Sequence, residues 1–169
     1  ARGRATQMNK GARHAGGDVL LFLHADTTLP TTARLDVESC MAEAVCVGGR
    51  FDICLDSTHL LLKIVGHMIS LRSRLTRVAT GDQAIFVRRS VFERLGGFPE
   101  IPLMEDVAFC RALKREGRIA CLRSKVVSSA RRWEQNGPMR TILLMWALKL
   151  LYLAGVSPRA LRRFYSKTD

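Results

Sequence analysis

The chain has 169 residues, 47% of them hydrophobic and 25% charged, which fits one globular domain with a real core and excludes a disordered chain. Its net charge of +12 calls for an anionic partner, and nucleic acid, an anionic membrane surface and a phosphorylated small molecule all meet that condition. Five cysteines (Cys40, Cys46, Cys54, Cys110, Cys121), an odd number with no C-x-x-C pair, suggest neither a zinc ribbon nor a disulfide framework and read as small core residues in a reducing compartment.

Residues 4–15 predict a short helix stopped by Gly16-Gly17. The next run, VLLFLH, is apolar to its end and predicts a parallel strand covered on both faces. LPTTARLDVESCMAEA opens with Pro30 and Thr31 and predicts an amphipathic helix, and VCVGGRFDICL at 45–55 predicts a strand with a Gly-Gly bend. Apolar residues at 60, 61, 64, 65, 68, 69, 71 and 75 have helical spacing, closed by Arg72, Arg74 and Arg77. AIFVRR predicts a short strand, and SVFERLGGF a helix with Ser90 and Glu93 as a capping box and a glycine stop.

A helix starting at the acids of MEDVAFCRALKREG and a strand over RIACLRSKVVSS complete this part. The C-terminal part, 137–169, changes character. MRTILLMWALKLLYLAGV is apolar nearly all round but is shorter than the roughly 20 residues a bilayer span requires and contains Lys149. A second helix follows, with Ser157 as N-cap and Pro158 at its first position, rich in arginine. The division expected is a main domain over 1–136 and a helical extension over 137–169, packed on the domain or on a membrane.

Alternating helices and strands imply an α/β fold, a mixed sheet flanked by helices that takes its ligand at the carboxyl ends of strands. His24 and Asp26 stand at such an end, and a carboxylate there is costly without a partner. Taken alone, Asp26 reads as a turn or helix cap and Glu105-Asp106 as acids favoured by a helix dipole. Together with Gly81-Asp82-Gln83 before a strand and a basic surface for phosphates, they make the ingredients of a group-transfer site.

Three stretches carry a family resemblance: NKGARHAGGDVLLFLHADTTLP, GDQAIFVRRSVFERLGGFPEIPLMEDVAFCRALKREG and RRWEQNG. In order and spacing they resemble the family 2 glycosyltransferases of GT-A fold, most of all a small bacterial subgroup ending in apolar and then basic helices. The resemblance implies transfer of a sugar from a nucleotide-diphosphate donor, with inversion, assisted by a divalent metal (Mn²⁺ or Mg²⁺). It implies Asp106 as the catalytic base supported by Glu105. Asp26 would be the metal-binding aspartate, and His24 stands where the family's metal motif has its first aspartate. Asn9, His24, Asp26 and the pair Arg132-Trp133 would bind the donor, and Gly81, Asp82 and Gln83 would face the acceptor.

The family's opening strand and the strands that hold the nucleotide base have no counterpart before Ala1, so the sequence is expected to be a piece of a longer chain with a partial donor pocket. Apolar segments 59–71 and 141–156, each followed by arginines, suggest interfacial helices near a lipid or lipid-linked acceptor on the cytoplasmic face of the membrane. Core packing or a homo-oligomer interface is the alternative for both, and explains 59–71 equally well. A nucleic-acid-binding module is the rival class, opposed by scattered arginines and few aromatics for base stacking. A non-catalytic scaffold of the same fold is the third.

Overall fold

The apolar run after Gly16-Gly17 forms β1 (Val19–Phe22), and the polar segment before it forms α1 (Arg4–His14). These assignments come from a computed structural model, which describes residues 3–166. The chain continues through β2 (Thr27–Thr28), α2 (Ala33–Met41), β3 (Cys46–Asp56) and α3 (Leu60–Thr76). A one-turn 3₁₀ helix (Gly81–Gln83) leads into β4 (Ile85–Arg88), α4 (Arg89–Arg94), α5 (Glu105–Leu113) and β5 (Arg118–Ser129). Three helices close the chain: α6 (Arg131–Asn136), α7 (Pro138–Leu153) and α8 (Pro158–Ser166).

The five strands form one sheet in the order β1-β4-β3-β5-β2, in which β3 and β5 pair in parallel and every other pair is antiparallel. This corrects the reading of β1: it is an edge strand, antiparallel to β4, and within it only Leu20 is buried. The doubly covered strand is β3, buried at every residue from 46 to 53. The strand runs unbroken through its two glycines. A Cβ at Gly48 would lie 2.5 Å from the Phe86 carbonyl oxygen, and one at Gly49 would lie 2.4 Å from Phe86 Cζ, so the glycines admit a close neighbour. The irregularities are register shifts against β5 on either side of them, between Cys46 and Gly48 and between Arg50 and Asp52.

Alternation along β4 separates two cores. Ile85 and Val87 face α1, α4 and α5, with an aromatic cluster of Phe22, Phe92, Phe98 and Phe109. Phe86 faces the opposite side, where α2 and α3 cover Phe51, Ile53 and Leu55. A smaller cluster joins Leu148 of α7 and Leu161 of α8 to Met104 and Val107 at the start of α5.

The helix at 89–94 begins at Arg89 with no side-chain cap, so Ser90 and Glu93 do not form the expected capping box. That motif occurs instead on the 3₁₀ turn, between Thr80 and Gln83. Ser157 does cap α8, its Oγ accepting the Ala160 N–H at 3.4 Å. β2, α6 and the 3₁₀ turn, of two, six and three residues, are too short for a repeating sequence pattern to mark them.

Candidate functional site

The register brings the carboxyl ends of β1, β3 and β5 to one end of the sheet, where β4 begins. Because β1 and β2 lie at opposite edges, residues 23–26 carry the chain across that end. The Ala25–Asp26 turn is tied down there: the Thr27 N–H donates to the His24 carbonyl and the Ser129 N–H to the Asp26 carbonyl, at 3.1 and 3.0 Å. Asp26 itself is exposed at the rim.

His24 packs on the 3₁₀ turn so closely that a Cβ at Gly81 would be 2.4 Å from its Nε2. Gly81 in turn donates its N–H to Asp106 Oδ2 at 2.8 Å, and the Val107 N–H donates to Oδ1 at 2.7 Å. His24, Gly81 and Asp106, distant in sequence, thus form one contact chain. Two strained backbones flank it: Ala84, just after the turn, has φ 47° and Met104, just before α5, has φ 68°. Non-glycine residues in this left-handed region cost on the order of 1–3 kcal/mol each and collect at functional sites.

Burial pushes the Asp106 carboxyl up, and the neighbouring charge of Asp82 adds to this, while the two N–H donors pull it down. Glu105, 6% exposed, is raised chiefly by burial as well. Two cations that the sequence reading left out complete the cluster. Arg72 of α3 is half-buried, and its Nε and Nη2 have no hydrogen-bond partner, nor has Asp82 Oδ1. Burial lowers its pKa against the attraction of Asp82 and Asp106. Lys149 of α7 is brought down to about 8 by burial and by the charge of Arg72, with Asp82 and Asp106 opposing. The available signal was Lys149 itself, the single charge between Arg140 and Arg159.

The other residues singled out in the sequence have different surroundings. Asn9 brackets the backbone of Phe98, donating to its carbonyl at 2.8 Å and accepting its N–H at 2.9 Å, which fixes the loop ahead of α5. Gln83 is fully buried; Nε2 donates to Ser73 Oγ and the Phe51 carbonyl, and Oε1 accepts the Thr80 N–H. With its amide so engaged, Gln83 braces the turn. Trp133 packs half-buried on the core beneath α3, beside Ile142, and Arg132 lies 4.5 Å over the Tyr165 ring.

Among the described residues no group of three or more His, Cys, Asp or Glu side chains gathers as a metal ion would require. His24 and Asp26 therefore do not compose a metal centre by themselves. Arg72 and Lys149 lie near Asp82 and Asp106, and Arg4 and His24 near Glu105.

No family model and no curated protein matches the chain. A solved structure is similar: the mannosyltransferase PcManGT from Pyrobaculum calidifontis, in complex with GDP-Man and Mn²⁺, 20% identical with a TM-score of 0.54. The match covers 76% of this chain and 36% of that one, so the chain spans about a third of its length. At this identity the likeness shows the fold alone, a Rossmann-like mixed α/β sheet flanked by helices.

Proposed function

We propose that this chain is part of a glycosyltransferase that moves a sugar from a nucleotide-diphosphate donor to an acceptor hydroxyl, with Asp106 as the general base. One observation carries the reading. Asp106, raised by burial, is held by the Gly81 and Val107 N–H groups beside Asp82, at the strand ends where an α/β sheet takes its ligand. Each oxygen of a carboxylate has two lone pairs, so both can hold a backbone N–H and still accept a proton. The shared fold supports the reading, and that similar enzyme carries a nucleotide sugar.

In this mechanism the acceptor hydroxyl gives its proton to Asp106 as its oxygen bonds to the anomeric carbon. The bond from that carbon to the diphosphate oxygen breaks, and its electron pair leaves with the nucleotide diphosphate. Attack opposite the leaving group inverts the anomeric centre. Glu105 supports the base from the adjacent position, and Arg72 and Lys149 offset the negative charge that develops. Asp26 and His24 meet the donor at the rim. Family 2 membership and the bacterial subgroup belong to this reading and are supported by the sequence resemblance; a reducing cytoplasmic setting belongs to it too and is supported by the unpaired cysteines.

A panel of UDP-, GDP- and dTDP-sugars, with GDP-mannose first, tests it by thermal shift and by donor turnover, with and without Mn²⁺. Donor at about a hundred times its dissociation constant stabilises by ~2.7 kcal/mol, enough to move the melting point several degrees. Asp106→Asn is expected to keep the donor shift and lose turnover by 100-fold or more, in the range of ~10²–10⁴ for a general base. Full turnover in Asp106→Asn would remove Asp106 as the base. No shift with any nucleotide sugar would favour the non-catalytic scaffold.

A further inference from the structure

Two helices carry apolar side chains on faces that no described residue covers. On α3 these are Leu60, Ile64, Met68, Leu71 and Leu75, spaced by four, four, three and four residues. On α7 they are Met139, Leu143, Trp146, Leu150 and Leu153, spaced by four, three, four and three. Such spacing puts each set on a single helix face. The buried residues lie on the other side, Leu62, Gly66 and Ser73 on α3 and Thr141 and Leu148 on α7. Exposure is far above what core packing leaves: Leu75 is 78% exposed and Trp146 58%. Scattered apolar residues would need no explanation, but two continuous stripes mark an interaction surface.

The helices border one core. Ile69 of α3 and Ile142 of α7 pack on the same core cluster, and Arg72 and Lys149 feel each other's charge. The segments around the stripes are also free of acids: none of the chain's 15 carboxylate side chains falls within 57–81 or 135–168. Lys63 beside the first stripe, Arg140 beside the second, and Arg159 and Arg162 on α8 are exposed cations. No described helix is long and apolar enough to cross a membrane.

We propose that the α3 and α7 stripes together form a docking face for an anionic lipid bilayer, with both helices lying in its interface. Apolar side chains enter the acyl boundary while Lys63, Arg140, Arg159 and Arg162 meet the headgroups, the division of labour of an interfacial helix. Charge decides between this occupant and a second copy of the chain. Self-association would press two bodies of charge +12 together through their acid-free segments, whereas an anionic surface complements them. Arg72 and Lys149, on flanks of the same two helices, reach the acids of the candidate site, so the docking face lies close behind that site.

Vesicle co-sedimentation with phosphatidylcholine alone and with added phosphatidylglycerol tests the proposal, together with quenching of tryptophan emission by brominated acyl chains. Expected are binding that requires phosphatidylglycerol and weakens with salt, and quenching that disappears in Trp146→Phe. Replacing Leu143 and Leu150 by glutamate should lower partitioning at least tenfold with an unchanged melting curve, because both side chains are exposed. Arg159→Ala and Arg162→Ala should each lower it about fivefold, from ~1 kcal/mol per cation near the surface. Absence of sedimentation with phosphatidylglycerol vesicles would overturn the proposal. So would a concentration-dependent dimer, abolished by Leu143→Glu, in a protein that ignores vesicles: that result would give the face to a second copy.

Discussion

Lys149 interrupts an apolar helix at the point where α7 passes Asp82 and Asp106, and its ammonium is held at about 8. Its charge is present below that pH and lost above it. Asp106 works in the opposite sense: burial raises its pKa, so the ionised base appears only above the ordinary aspartate range. Activity as a function of pH should therefore be a bell whose acid limb is shifted upward by Asp106 and whose basic limb lies near 8. In Lys149→Met the basic limb should vanish and kcat fall by about 100-fold, the cost of one group that stabilises developing charge. In Lys149→Arg the limb should move beyond the assay range with most of kcat retained. Profiles of kcat/KM against pH for the three proteins check this, and a basic limb unchanged in Lys149→Met would assign it to another group.

Between elements, β3 is held to α3 by charges rather than by apolar contact alone. Arg50, 1% exposed, pairs with Asp52, which also accepts Arg74 Nη2 at 2.5 Å. Arg50 Nη2 donates to the Ser70 carbonyl and Arg74 Nη1 to the Cys121 carbonyl, so one aspartate balances two guanidiniums that lock α3 across β3 and β5. Removing it leaves buried positive charge without a partner. Asp52→Ala should cost about 3–5 kcal/mol, visible as a lower urea midpoint with an unchanged slope. The elements themselves were largely legible in the sequence, because glycine stops, the proline at the start of α8 and apolar spacing act locally. Sheet position was not: the apolar run of β1 reads as a central parallel strand, yet pairing with β4 places it at an edge. Strand pairing joins residues tens of positions apart, which no local pattern encodes.

For the molecule as a whole, α7 and α8 close over the start of α5. Leu148 and Leu161, at 2% and 0% exposure, pack with Met104 and Val107. Residues 137–169 are proposed as an extension of the catalytic domain, and removing them should strip this cover. Two leucines contribute about 3–6 kcal/mol by burial, equivalent to a fall of about 10 °C in a chain of this size. Calorimetry of a chain ending at Asn136 checks the figure. An unchanged Tm would make the extension an independent unit. The truncated chain should also lose vesicle binding, since α3 alone keeps half of the docking face.

The sequence by itself determined the longer elements, the α/β class and the acids of the candidate site, since these depend on residue type, spacing and chain order. Asp106, Glu105, Asp82 and Gly81 were all visible in this way. Tertiary structure decided which of the singled-out residues meet: it joins His24 to Gly81 and Gly81 to Asp106, buries Gln83 as a brace and gives Asn9 to the Phe98 backbone. It also brought Arg72 and Lys149 to the acids. In sequence one is a cation ending a helix and the other a flaw in an apolar run. Only the packing of α3 and α7 against the 3₁₀ turn and α5 gives them one electrostatic environment, because charge interacts through space and not along the chain.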